Sequence, residues 1–396
     1  MFESLNPVPA DPLLGIIGRF RQEQNPHKID LGVGVYKNEA GHTPVLESVK
    51  KAEQYLVNTQ GSKAYLGPQG NAQFSELLCR LSLGDKCFDV SKPQLAALQT
   101  PGGCGALRVA AELIVRAKPG AKVWVSDPTW ANHEPLLGGA GIALEKYPYY
   151  DYQAKQIRFD AMMEGIAKAA PGDLVLLHAC CHNPSGADLS RAQWDQVVEL
   201  LQSRDLIPFI DMAYQGFGQG LEQDAYGLRL AIEKCSEVVF TVSCSKNFGL
   251  YRDRVGLVAF KLSSAEQATT TGGNLAQIVR GIYSMPPDHG ASVVAQILAV
   301  SDLSVEWQQE LEQMRARIAT TRLDVVAKMK ALGASGNFDF IAKESGMFSF
   351  LGLAEAQVER MAQEHAIYMA PSSRINIAGL NSGNLEYFCQ ALNSVL

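Results

Sequence analysis

"DLVLLHACCHNPSGADLSRAQWDQVVELLQSRDLIPFIDMAYQGFG", residues 173–218, holds the repeating unit from which the fold follows. An apolar run at 173–179 stops at a turn rich in Asn, Pro, Ser and Gly. Ser190 then stands as a cap before 190–204, where apolar residues recur at helical spacing, and a second apolar run follows at 206–210. Working outward, the same kind of short run, bounded by turn residues, returns at 95–99, 122–126, 142–147, 237–242 and 255–260, with a helix-like segment at 105–117. The alternation predicts an α/β fold: a seven-stranded, mainly parallel sheet sandwiched by helices. The pattern stops after about residue 262, and 302–333 is helical throughout. The expected division is a large body at 46–301 and a smaller α/β domain built from both chain ends, 1–45 and 302–396.

Composition narrows the function. At 396 residues with 47% hydrophobic and 19% charged, the chain is long enough for a large core, and no run approaches the ~18 apolar residues of a membrane span. The start, "MFESLNPVPADP", has neither a basic lead nor an apolar core, so no secretory leader is expected. Thirty-five basic against 41 acidic residues, without a basic block, argue against nucleic acid or an anionic membrane as partner and for a small molecule. The eight cysteines form no CxxC pair, so the expectation is reduced thiols, no metal and a cytoplasmic protein.

Ligands of α/β sheets sit at the carboxyl ends of the strands, which directs attention to the segments after each run. After 95–99 comes "TPGGCGALR" (100–108), where Gly103 and Cys104 open a helix; it reads as a phosphate seat or as a tight turn. "DPTWANH" (127–133) offers Trp130 and His133, as a site or as packing and surface. "CCHNPSG" (180–186) holds Asn183 at a strand end, and a plain turn is its rival. Asp211 ends an apolar strand, where a carboxylate is costly without a partner.

In "SCSKNFGLYRDRVG" (243–256), Lys246 follows Ser243 and Ser245 and precedes Arg254. A lysine is usually a solvated charge. Here the hydroxyls and the arginine can hold an anion, and the arginine eases deprotonation of the lysine. A nucleophilic lysine beside a phosphate seat is what Schiff-base chemistry with pyridoxal 5'-phosphate requires. On that reading Asp211 keeps a pyridine nitrogen protonated, Tyr214 and Asn183 face the ring's oxygen, Trp130 stacks on the ring, and His133 orients the aspartate from behind.

These stretches, with "LGVGVYKNEAGHTPVL" (31–46) and "IYSMPPDHGASVV" (282–294), resemble the class I aminotransferases, most closely the bacterial aspartate and aromatic-amino-acid enzymes, and the resemblance spans residues 1–396. It implies the type I aminotransferase fold and a homodimer with shared sites. It also implies that Lys246 is the Schiff-base lysine, that Gly103, Cys104, Ser243, Ser245 and Arg254 hold phosphate, and that Tyr65 reaches the phosphate of the other subunit. Arg374 would clamp the substrate's α-carboxylate, with Gly34 and Trp130 lining the pocket, and Arg280 would cross the interface to a distal carboxylate. Cys104 departs from the Thr or Ser usual at that turn and is a weaker donor. The implied reaction moves an amino group from L-aspartate to 2-oxoglutarate by a ping-pong mechanism, with tyrosine or phenylalanine as the alternative donors. Val35, Lys37 and Thr43 look like the aspartate type; Ala64, Cys104 and Met285 match neither cleanly.

Overall fold

The computed structural model describes residues 2–6 and 12–396, with side chains from residue 15 onward in the first helix, so part of the stretch 1–12 read for a leader lies outside the described residues. All seven expected strands form, close to their expected extents: β1 (Leu95–Pro101), β2 (Lys122–Asp127), β3 (Ala143–Pro148), β4 (Leu174–His178), β5 (Ile207–Met212), β6 (Val238–Ser243) and β7 (Val255–Lys261). They make one sheet in the order β1-β7-β6-β5-β4-β2-β3. Strands β2 to β6 run parallel, whereas β7 lies antiparallel between β1 and β6. The reason is the connection. The stretch 244–254 between β6 and β7 contains no helix to carry the chain back across the sheet, so β7 can only return in the opposite direction.

The helices that matter to the site are α1 (Gly102–Ala117), α2 (Arg191–Ser203), α3 (Ala265–Ile282) and α4 (Ser301–Ala331). Helix α2 begins as its sequence suggests: Ser190 Oγ accepts from the Gln193 amide at 3.3 Å, and the Gln193 side chain accepts from the Ser190 amide at 2.9 Å. The sheet's central strands are buried on both faces. Leu174, Leu176, Phe209 and Val239 pack into one core, and Val175, Leu177, Ile210 and Phe240 into the other, the alternation that pleating imposes.

Two small pairings organise the chain ends, the first joining one end to the other. Ile29–Asp30 runs parallel to Ile367–Tyr368, and Phe348–Phe350 runs antiparallel to Arg374–Asn376. They bring residues 32–34 beside Arg374. The long α4 is pinned to the lysine segment: Trp307 donates its indole N–H to the Asn247 carbonyl at 2.8 Å and stacks on Phe248 at 4.4 Å. Among the described residues no helix is long and apolar enough to cross a membrane.

Candidate active site

Parallel strands present their carboxyl ends on one side of a sheet, and there β4, β5 and β6 deliver His178, Asp211 and Ser243 to one cavity of about 230 Å³. Gly103 and Cys104 reach it from the start of α1, Trp130 and Asn183 from the loops after β2 and β4, and Tyr214 from the loop after β5. Ser245, Lys246 and Arg254 come from the β6–β7 connection, and Gly34 from the N-terminal segment.

One wall is built for an anion. The first amides of the 16-residue α1 have no intrahelical acceptor and carry the positive end of its dipole. Gly102 has φ +73°, and a Cβ there would lie 2.5 Å from Arg254 Nη2, so only glycine lets the helix start so close to the guanidinium. Arg254 is fixed by donating Nη1 to the Tyr251 carbonyl at 2.9 Å. Ser243 and Ser245 face each other, Oγ to Oγ, at 3.1 Å. Cys104 Sγ accepts from Asn132 Nδ2 at 3.7 Å.

The opposite wall holds a buried carboxylate. Asp211 Oδ1 accepts from Thr241 Oγ1 at 2.7 Å, and Oδ2 lies 3.2 Å from His133 Nε2. Burial alone would raise its pKa, but the hydrogen bond and charge of His133, with help from His178 and Thr241, hold the carboxyl below its ordinary value. The relay continues outward. His133 Nδ1 lies 2.8 Å from Thr129 Oγ1, which is 3.4 Å from His178 Nε2, while His178 Nδ1 accepts from the Asn183 amide at 3.1 Å. Because Nδ1 of His178 accepts, a neutral ring carries its proton on Nε2. Burial and the neighbouring His133 push His178 down to about 3, so it stays neutral and offers its Nε2–H to Thr129 Oγ1.

Lys246 stands over the Tyr214 ring with Nζ 4.7 Å from its centroid. Burial lowers its pKa and Arg254 adds to this, against the pull of Asp211 and Cys104. Burial raises the Tyr214 hydroxyl, so it stays protonated as a donor. Arg374, buried behind Asn183, donates to Asn183 Oδ1 at 3.3 Å and to the Gly32 carbonyl at 2.8 Å. Its Nε has no partner, and among the described residues no carboxylate lies within ion-pair distance. Gly34 leaves room beside it, since a Cβ there would meet the Phe348 ring at 3.0 Å.

Two expected residues lie elsewhere. Tyr65 is 94% exposed, and Arg280, in the last turn of α3, is exposed and bonded to Ser284. Four residues that the sequence reading passed over belong to the site: Thr129, His178, Thr241 and Tyr251. His178 carried a readable signal, a polar residue ending an apolar strand like Asp211. Thr241, inside the apolar β6, carried almost none.

Residues 26–392 match the family model for class I and II aminotransferases, and the chain belongs to that family. It is 45% identical over 394 residues to the aromatic-amino-acid aminotransferase of Pseudomonas aeruginosa, covering 100% of this chain and 98% of that one. It is also 43% identical over 396 residues to the aspartate aminotransferase of Salmonella typhi, with both chains covered in full. Among solved structures, the aromatic-amino-acid aminotransferase of Burkholderia pseudomallei, covalently bound to pyridoxal phosphate, superposes with a TM-score of 0.98. It is 41% identical, with 100% of this chain and 99% of that chain covered.

Proposed function

We propose that this aminotransferase uses pyridoxal 5'-phosphate to move an amino group from L-aspartate to 2-oxoglutarate, giving oxaloacetate and L-glutamate. The observation that carries it is the buried Arg374, which has no carboxylate partner among the described residues and is bonded to Asn183, a residue lining the cavity that holds Lys246 and the anion seat. A buried cation so arranged is stable only if a ligand carboxylate completes it.

The residues present fit the cofactor. The amides at the start of α1, with Ser243, Ser245 and Arg254, would take its phosphate, Asp211 its ring nitrogen, and Asn183 and Tyr214 its ring oxygen. Trp130 would cover its face. Cys104 offers the phosphate only a weak donor, while the backbone of that turn is unaffected. Pyridoxal 5'-phosphate supplies a carbonyl carbon for the amino group and a ring that accepts the electron pair left at Cα. Arg374 binds the substrate's α-carboxylate bidentately and sets the Cα–H bond towards Lys246. Lys246 Nζ, whose lowered pKa makes the free amine accessible, takes the Cα proton and delivers it again. Asp211 remains ionised throughout, held so by His133 and Thr241.

The same reading puts residues 46–301 in the cofactor-binding body and 1–45 with 302–396 in the smaller one. The pairing of Ile29–Asp30 with Ile367–Tyr368 supports this. It also makes the protein a cytoplasmic homodimer. Eight unpaired thiols support the compartment. Tyr55, Val57, Tyr65 and Leu66, exposed together on one short stretch, support a second copy covering them. Tyr65 and Arg280 then serve the partner's site.

The aromatic alternative has support of its own in the name of the Pseudomonas aeruginosa relative. Arg280→Leu decides between them. A distal carboxylate bound by Arg280 loses about 2–5 kcal/mol, so kcat/KM for aspartate falls by roughly 30-fold or more while that for phenylalanine is largely spared. An equal fall for both would make Arg280 structural and remove the case for a dicarboxylate substrate.

A further inference from the structure

A second cavity, of about 530 Å³, lies at the other end of the sheet, where β4, β5 and β6 begin and β7 ends. Its floor is apolar: Leu174, Ile207, Val239 and Phe260 from the sheet and Leu262 just after β7, with Leu113 and Ile114 from α1. Helix α3 roofs it with Gln267, Thr270 and Thr271, and α1 adds Ala117.

The two helices are linked outside the cavity. Arg116 Nη1 on α1 donates to Gln277 Oε1 at 2.7 Å and Asn274 Oδ1 at 3.3 Å on α3, a strut at the far end of the cavity. The roof is also a poor helix. Thr269, Thr270, Thr271, Gly272 and Gly273 follow one another inside α3, and all are weak helix formers. A Cβ added at Gly272 or Gly273 would meet nothing within 4 Å, so packing does not require glycine there. Water gains little in such a space, because it finds few polar partners.

Charge at the rim is uneven in its partners. Lys261 Nζ donates to the Cys235 carbonyl at 2.7 Å, and Lys118 Nζ to the Pro171 carbonyl at 3.2 Å. Glu237 and Glu266, on the same rim, make no hydrogen bond with any described side chain, and Glu237 feels Lys261 only through its charge at longer range. The carboxylate oxygens of both glutamates therefore keep open acceptor positions, whereas both lysines have spent a donor on a carbonyl.

We propose that the cavity between α1 and α3 is a binding site for a small molecule with an apolar body and a cationic end, the body on Phe260, Val239 and Leu174 and the cation at Glu237. An arylalkyl ammonium has these features and a suitable size for a pocket of this kind. The site is separate from the Lys246 cavity, and nothing in the argument depends on the reaction catalysed there.

The test is calorimetric titration of the holoenzyme with (2-phenylethyl)trimethylammonium, whose quaternary nitrogen cannot condense with a carbonyl and which has no carboxylate for Arg374. Saturable binding at one per chain is expected, unchanged by saturating succinate and weaker for neutral 2-phenylethanol. Ala117→Phe should fill the space and reduce affinity at least about tenfold. Glu237→Gln, at the rim and safe for folding, should weaken the ammonium about two- to fivefold and leave the alcohol alone. The proposal is overturned by no saturation at millimolar probe, by displacement with succinate, or by affinity that neither variant changes.

Discussion

Asp211→Asn isolates one charge in this site. The amide is the same size as the carboxyl, and its oxygen can still accept from Thr241 Oγ1, the 2.7 Å bond that Asp211 makes. Its NH₂ can donate to His133 Nε2, now 3.2 Å from the carboxylate, once the His133 proton moves to Nδ1 and points at Thr129. Shape and hydrogen bonds survive; the negative charge does not. If Asp211 pairs with a protonated ring nitrogen in this buried setting, removing it leaves that charge alone, at about 3–5 kcal/mol. The corresponding fall in kcat is about 150- to 5,000-fold. The assay is kcat for aspartate at saturating cofactor, beside the absorbance of the bound cofactor across pH. A variant fully loaded with cofactor and within about tenfold of the parent would refute the pairing. Thr241→Val is the control: it removes one neutral donor, so about 0.5–1.5 kcal/mol and no more than roughly tenfold in rate.

Gly272→Ala and Gly273→Ala meet open space in α3 and should each stabilise the protein by about 0.8–1 kcal/mol, read as a higher urea midpoint; an unchanged or lower midpoint would show that the glycines serve another conformation. Glu344 should make stability depend on pH. Burial, against Arg322 and the hydroxyls of Ser349 and Tyr150, pushes its carboxyl up to about 7. A raised acid stabilises fully below its unfolded pKa of about 4.5, and that contribution is lost as pH rises through 7. Glu344→Gln has no proton to lose, so its stability relative to the parent should rise by about 2.5 kcal/mol between pH 5 and pH 8.5, and parallel urea midpoints at the two pH values would refute this.

The sheet was legible because its strands are buried on both faces and read as unbroken apolar runs between turns, from Leu174–His178 to Val255–Lys261. The direction of β7 was not read in advance, since periodicity is blind to direction; only the helix-free connection after β6 bears on it. Residues that break an apolar run, such as Asp211, or stand in a run of small polar residues, such as Lys246, declared themselves by the cost of putting them there. Thr241 did not, because a threonine inside a strand is ordinary. His178 could have been found. What no single chain shows is where Tyr65 and Arg280 act, for both face outward and their targets, on the proposed reading, lie on another copy.

Two buried arginines show how a structural cation differs from one kept for a ligand. Arg322 spends every nitrogen inside the protein: Nε and Nη2 on the Gly346 carbonyl at 3.2 and 2.8 Å, Nη1 on the Ile341 carbonyl at 2.9 Å and Ser349 Oγ at 2.7 Å, Nη2 again on the Phe348 carbonyl at 2.6 Å. Those contacts tie α4 to the segment 341–349, and no donor is left to reach outward. Arg374 is buried as well, and burial lowers its pKa too, yet only two of its nitrogens are bonded and Nε is idle. An unmade buried hydrogen bond costs about 1–3 kcal/mol, and more for a charged group, so a carboxylate reaching Arg374 would be bound with that gain. Asn183 and Gly32 fix the plane of the guanidinium, and on the proposed reading its remaining N–H groups take the substrate carboxylate. On that reading the missing carboxylate partner marks the substrate position, and Arg374 ties the N-terminal segment, the loop after β4 and the C-terminal strand to a single event, the arrival of an amino acid.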